Sequence, residues 1–396
     1  MPMPTRAITH RALSIAALAA GIALAGSVMP GCSSTETFGP KPTSRNASNN
    51  AEAQLEARAA EAIVDHDGWR TLGYRLDWRG FPPVTTSETI QHLRPYDDVI
   101  LVQEGGSILS VLETDTGRLR WSNELATRLT RFVAPIRSDD RVLASSESEL
   151  HVLSIDTGTL VDRQSYSIVI NTKPIEFGDL LVYGTAAGEL MGHLTTFGVE
   201  AWANAADGSI NVTPVRIGSA VGAVTQSGDV FFVDGPTGSL IGKTRIFDGL
   251  VTPPAASDNL LFAASLDQSV YAITPAGQTV WRYRTGYPLR YRPIYHAGTV
   301  YVAVPDEGLV AMGAQSGDVQ WRTPNIRGHV VAERGDALVV WDAENEIAHT
   351  VRTSDGTLIA SVELPGTLDL VAHGFVDGTM FAVARNGVLA KFIARN

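Results

Sequence analysis

The chain has 396 residues, 37 of them glycine, with 44% hydrophobic and 7% aromatic residues and a formal net charge of −11. That balance argues against nucleic-acid binding, which needs a basic face to neutralise phosphates. One cysteine excludes an internal disulfide framework, and the length alone would accommodate two or more ordinary domains.

The first 32 residues have the layout of a targeting segment: Arg6, His10 and Arg11, a run of small apolar residues from 12 to 28, then Met29-Pro30-Gly31-Cys32. A lone cysteine directly after an apolar run and a glycine resembles the modified cysteine of a bacterial lipoprotein signal. Met29 and Pro30 stand where that family carries Leu and Ala or Ser. Lipid on Cys32 would anchor the protein to a membrane without spanning it. Ser33 and Ser34 lack the acidic residue that marks inner-membrane retention in enterobacterial lipoproteins, so the expected location is the periplasmic side of the outer membrane. An ordinary secretory signal or a short uncleaved anchor with an incidental cysteine is the alternative.

Residues 33–50 are rich in Ser, Thr, Asn and Pro and too poor in apolar residues to pack, which predicts a flexible linker. Residues 51–64 (AEAQLEARAAEAIV) have helical composition, with Leu55, Ala59, Ala62 and Ile63 on one side. The segment 51–71 is therefore expected as a short helical piece at the rim of the following domain, which takes in 72–396. Residues 72–78 (LGYRLDW) read as a strand with no partner before it.

Residues 111–121 (VLETDTGRLRW) read as strand, tight turn and strand, with Asp115-Thr116-Gly117 supplying the turn and Leu119 and Trp121 alternating on one face. The turn glycine returns at Gly158, Gly198, Gly238, Gly277, Gly317 and Gly356, at spacings of 41, 40, 40, 39, 40 and 39. A second series runs in phase: Pro95, Pro135, Pro174, Pro214, Pro253 and Pro293, spaced 40, 39, 40, 39 and 40. A module of about 40 residues is the length of a four-stranded propeller blade. Short runs such as Val99-Ile100-Leu101-Val102 and Leu180-Leu181-Val182-Tyr183 are apolar on both faces, as blades stacked face to face require.

At the tail, residues 379–384 and 388–393 supply two strands, and the sequence stops before an outer one. If residues 72–78 pair there, one blade is shared between the termini, which removes an exposed edge and ties the ends together. The expectation is an all-β chain: a monomeric eight-bladed β-propeller of four-stranded antiparallel blades, closed by an N-terminal strand that completes the last blade. Seven blades is the alternative count.

A tryptophan four residues after the turn glycine resembles the repeat of the pyrroloquinoline-quinone-type propellers, Ala-x-Asp-x-x-Thr-Gly-x-x-x-Trp. Trp121, Trp202, Trp281 and Trp321 match it, as does Trp78 on the orphan strand, whereas Asp162, Gly242 and Ala360 depart. Within that group a short chain with a lipoprotein-like signal and little outside the propeller resembles the outer-membrane assembly lipoprotein family BamB. The resemblance implies a non-catalytic scaffold whose partner is a membrane protein-assembly complex. Quinoprotein dehydrogenases of the superfamily are the enzymatic alternative, and a periplasmic ligand-binding propeller is the third. The dehydrogenases commonly carry adjacent cysteines over the cofactor and long insertions, neither of which this sequence has, so no cofactor is expected.

Other chemistry finds little support. The nine histidines show no His-x-x-x-His pairing, and there is no Gly-x-Ser-x-Gly elbow or Gly-x-x-x-x-Gly-Lys phosphate loop. No catalytic or metal-ligating residue is therefore nominated. Two groups remain as contact candidates. Arg94, Lys173 and Arg292 each precede a repeat proline and would share a position near the central channel, where a basic ring could hold an anion. Trp281 to Arg284 (WRYR), Tyr287 and Arg290-Tyr291-Arg292 concentrate arginine and tyrosine, residue types favoured at binding hot spots.

Overall fold

The structure is a computed structural model that describes residues 66–85 and 88–395. A one-turn helix α1 (His66–Thr71) leads into 32 strands, β1–β32 in chain order, arranged as eight separate four-stranded antiparallel sheets. Blade 1 is β2 (Ile90–Pro95), β3 (Val99–Glu104), β4 (Ile108–Glu113) and β5 (Leu119–Glu124). Blades 2 to 7 follow in the same order: β6–β9 over 132–165, β10–β13 over 175–205, β14–β17 over 215–245, β18–β21 over 255–284, β22–β25 over 294–323 and β26–β29 over 329–363.

Blade 8 is composite. It takes β30 (Thr367–His373), β31 (Thr379–Ala384) and β32 (Leu389–Ala394) from the tail and β1 (Tyr74–Gly80) as its outer strand, in the order β1-β32-β31-β30. Tyr74 pairs with Ala394 and Gly80 with Leu389. The predicted closure and the count of eight are thus what the structure shows. The lipidation candidate Cys32, the linker and the helix read at 51–64 lie outside the described residues.

The core is annular. Eight buried apolar clusters fill the eight junctions between neighbouring blades, including one between blades 8 and 1 (Ile90, Ile100, Leu112, Phe381, Leu389). The middle strands are covered on both faces for this reason: all six residues of β3 are buried. The cluster between blades 7 and 8 also takes in α1, where Trp69 stacks on Phe392 at 3.5 Å between ring centroids.

Each of the repeat tryptophans sits under the turn glycine of the next blade. A Cβ on Gly117 would lie 2.4 Å from the ring of Trp78, and one on Gly356 2.5 Å from Trp321. The indole nitrogens of Trp78, Trp121, Trp281 and Trp321 donate to the carbonyls of Thr114, Ile155, Ala314 and Thr353, 2.7–3.0 Å away in the same turns. Trp202 covers Gly238 in the same way, without an acceptor for its nitrogen. The Thr-Gly…Trp pattern is therefore a contact between blades: a flat ring needs a turn with no side chain beneath it, and the turn needs φ > 0.

One detail departs from the alternation expected for Leu119 and Trp121. Trp121 is buried but Leu119 is 40% exposed, because a β-bulge at Arg120 separates their pairings. Every outer strand carries the same irregularity, β1 included, where it falls between Leu76 and Trp78. A bulge raises local twist and re-aims the side chain after it, here the tryptophan toward the next blade. Its presence in β1 marks that strand as a full fourth strand.

Gly335 and Gly356 separate the two demands on the turn glycine. Both have positive φ, 60° and 73°, but a Cβ on Gly335 meets nothing within 4 Å. Gly335→Ala should cost about 1 kcal/mol, the backbone term alone, and Gly356→Ala about 3 kcal/mol or more from collision with Trp321. Urea midpoints with unchanged slope would check this.

Candidate functional site

Inner strands surround the axis, and residues from five blades meet in one space of about 380 Å³. Gln91 comes from blade 1, Lys173 precedes blade 3, Arg292 precedes blade 6, and His329 and Asp369 come from blades 7 and 8. The inner strands of blades 3 and 6 are three residues long, so Lys173 and Arg292 lie just ahead of β10 and β22 and not within them. The hairpin after β30 reaches over to blades 6 and 7. Its Phe375 packs against the ring of His296 in blade 6 at 4.5 Å, and its backbone bonds to Glu333 in blade 7.

Two cations and one carboxylate line this space, and all three residues are exposed to solvent. Burial between the walls lowers the pKa of Lys173, Arg292 and Arg94 lower it further, and Asp369 opposes them. Burial alone lowers Arg292. Asp369 is raised by burial, against a 2.8 Å hydrogen bond from the Leu370 amide and the attraction of Lys173. His92 and His329 are pushed down to about 4, first by burial and then by Lys173 and Arg292 respectively.

Of the three predicted basic residues the structure brings Lys173 and Arg292 together. Arg94 is close, but its guanidinium is tied at 3.0 Å to Glu176 of blade 3 and lies 5.7 Å from the ring of Tyr96. No complete basic ring forms, because Asp369 and the neutral histidines occupy other blades' positions.

A second region lies on one face of the ring, where the connections between blades and the hairpins joining second to third strands emerge. Leu129 is 95% exposed, Phe247 83% and Tyr287 53%, each on a connection; Val251, on the same connection as Phe247, and Val169, between blades 2 and 3, are exposed as well. Polar contacts tie together the three successive connections that lead into blades 2, 3 and 4: Arg131 donates to Asn171, and Asn171 donates to Asn211 at 2.7 Å. The WRYR stretch divides. Trp281 is buried under Gly317, Tyr283 donates to Glu307, and Arg282 lies between the rings of Tyr271 and Phe247 at 5.0 and 5.5 Å. Arg284 and Phe247 line a cleft of about 330 Å³, and Arg290 and Tyr291 another of about 380 Å³ with Arg327. Arg290 and Tyr291 therefore face the connections and Arg292 the axis. Among the described residues no group of three or more His, Cys, Asp or Glu converges on a point.

Comparison with known proteins follows the fold. The family model described as outer membrane protein assembly factor BamB matches residues 75–204 and 226–396. The chain belongs to the BamB family. A BamB of Burkholderia pseudomallei (strain K96243) is 27% identical over 118 residues, which is 30% of this chain and 31% of that protein, so the aligned stretch spans under a third of the relative. The crystal structure of BamB from Moraxella catarrhalis superposes with a TM-score of 0.62 at 17% identity, covering 78% of this chain and 97% of that one. The computationally designed Ika8 protein superposes at 0.67 with 13% identity, covering 80% and 99%. A designed ring fits as well as a natural BamB, so these two likenesses speak for fold alone.

Gln91, His329 and Asp369 were not nominated from sequence. The proline series that marks inner strands ends at Pro293, and no residue of blades 7 and 8 signals its distance from the axis.

The two histidines set a pH dependence. Their pKa is about 4 in the folded protein and about 6.5 when unfolded. Protonation thus favours the unfolded chain, and their stabilising contribution is complete above pH ~6.5 and lost as pH falls toward 4. Asp369, raised by burial, acts in the opposite sense. The melting temperature should fall between pH 7 and 4, and a His92→Gln/His329→Gln variant should fall less steeply over the same range.

Proposed function

We propose that this BamB-family protein is a lipid-anchored, non-catalytic scaffold in outer-membrane protein assembly, held on the periplasmic side of that membrane through Cys32. It binds a component of the membrane assembly complex through the face that carries the blade connections. The observation that supports this most is the exposure of Phe247, Leu129 and Tyr287 on connections of one face, where the Phe247 amide donates to Asp267 and the Leu129 connection is tied to the next by Arg131 and Asn171. Large apolar side chains in water on a rigid frame are the signature of a partner surface, and a fixed backbone lowers the ordering entropy of binding. Arg284, Arg290 and Tyr291 lie beside clefts on the same face and supply the polar part of such a surface. The anchor would add to affinity by raising local concentration at the membrane.

Phe247→Ser together with Tyr287→Ser should weaken partner capture by about 2 kcal/mol or more with only a small change in melting temperature, since neither side chain is in the core and Phe247 gives up only its contact with Arg282. Affinity capture from detergent-solubilised envelopes, with the assembly complex detected directly, reads this out. Cys32→Ser should leave capture in detergent intact and move the protein out of the membrane fraction. Capture equal to the parent in the double variant would remove this face from the reading.

A further inference from the structure

We propose that the axial space is a binding site for a small organic anion, a carboxylate or phosphate held between Lys173 and Arg292. The two residues are contributed by blades 3 and 6, which are not neighbours, and both heads reach the same space of about 380 Å³. Among the described residues neither charged head has a hydrogen bond or ion pair, although the chain carries 42 acidic residues against 31 basic ones. Nearby Arg94, by contrast, is satisfied by Glu176. Like charges held together repel, Asp369 offsets only one of the two, and a folded protein that keeps their heads without hydrogen bonds is preorganised for a negative ligand.

The surroundings narrow the ligand. Gln91 adds an amide, His329 is neutral, and Asp369 limits the positive excess to a single charge, which suits a monoanion or a partly protonated phosphate. Leu93, Ile294 and Phe375 supply apolar wall, with Phe375 held against the ring of His296 in blade 6. Its size is that of ordinary small-molecule sites, with room for roughly a dozen waters. Charge-assisted hydrogen bonds from a guanidinium and an ammonium to one anion are among the stronger polar contacts available to proteins. Lys173 and Arg292 stand where the connections enter the inner strands, and the assignment does not rest on the scaffold role.

The test is calorimetric titration of the full chain in detergent at pH 7 and low salt with inorganic phosphate, with benzoate, and with benzyl alcohol as the neutral control. Expected is saturable binding of phosphate, benzoate or both, weakened about tenfold by Lys173→Gln or Arg292→Gln and strengthened several-fold by Asp369→Asn. Phosphate alone would assign a phosphate site, and benzoate alone a carboxylate site with an apolar body. Asp369→Asn removes no cation, so it keeps the test readable if the other variants fail to fold. No saturable binding of either anion, benzyl alcohol binding as tightly as benzoate, unchanged binding in the folded cation variants, or weaker binding in Asp369→Asn would each overturn the assignment.

Discussion

The pairing of β1 with β32 is the constraint on which everything else depends. Seven blades are built from consecutive sequence and each buries its faces on its neighbours, but the eighth has only three strands until the chain's early segment returns to it. Without β1 the junction between blades 8 and 1 loses Trp78, whose ring covers Gly117 and whose nitrogen holds the Thr114 carbonyl. Lys391 reaches that same carbonyl at 3.0 Å and Asp77 at 3.2 Å, so the seam joins β1, β32 and blade 1 through one knot of polar contacts. On the other side of blade 8, Arg334 of blade 7 clasps Gly73, Asp377 and the carbonyl of Arg395, binding the first and last strands of the propeller together.

Closure also explains the two functional regions. A ring cannot flatten or splay when sealed, so its inner strands hold side chains from non-adjacent blades at fixed separations, and Lys173 and Arg292 meet only because the ring brings blades 3 and 6 to one axis. The same rigidity lets exposed side chains such as Phe247 stand on connections without collapsing onto the core. Where tryptophan is missing from the repeat, the contact between blades is made otherwise. Gln164 lies beside Gly198, and with Gly242 in the outer strand of blade 4 the backbone of Pro275 and Ala276 comes within 2.5 Å of where a Cβ would be. Blade stacking is thus the invariant and the tryptophan one means to it.

Much of this was legible in the sequence, for a physical reason. Gly117 and its six counterparts, the prolines from Pro95 to Pro293 and the orphan Trp78 each answer to a local demand that recurs once per blade, and periodicity makes a local demand visible. The bulge at Arg120 was hidden because Leu119-Arg120-Trp121 looks like plain alternation, and only pairing with β4 shows the extra residue. The axial pocket was half visible. Lys173 and Arg292 stand out beside their prolines, but Asp369 and His329 come from strands with no such marker, and Arg94 is drawn away by Glu176, a partner 82 positions on. Sites assembled across a ring leave no spacing to read.

Native-state hydrogen exchange across β1 tests ring closure most directly, because a strand that seals the ring opens only when the ring does. The amides of β1 that face β32 should exchange at the rate of global unfolding, together with those of β31 and β32, and should share their dependence on denaturant. Exchange of β1 by independent local opening, with β31 and β32 still protected, would show that the ring holds without it and would contradict this account.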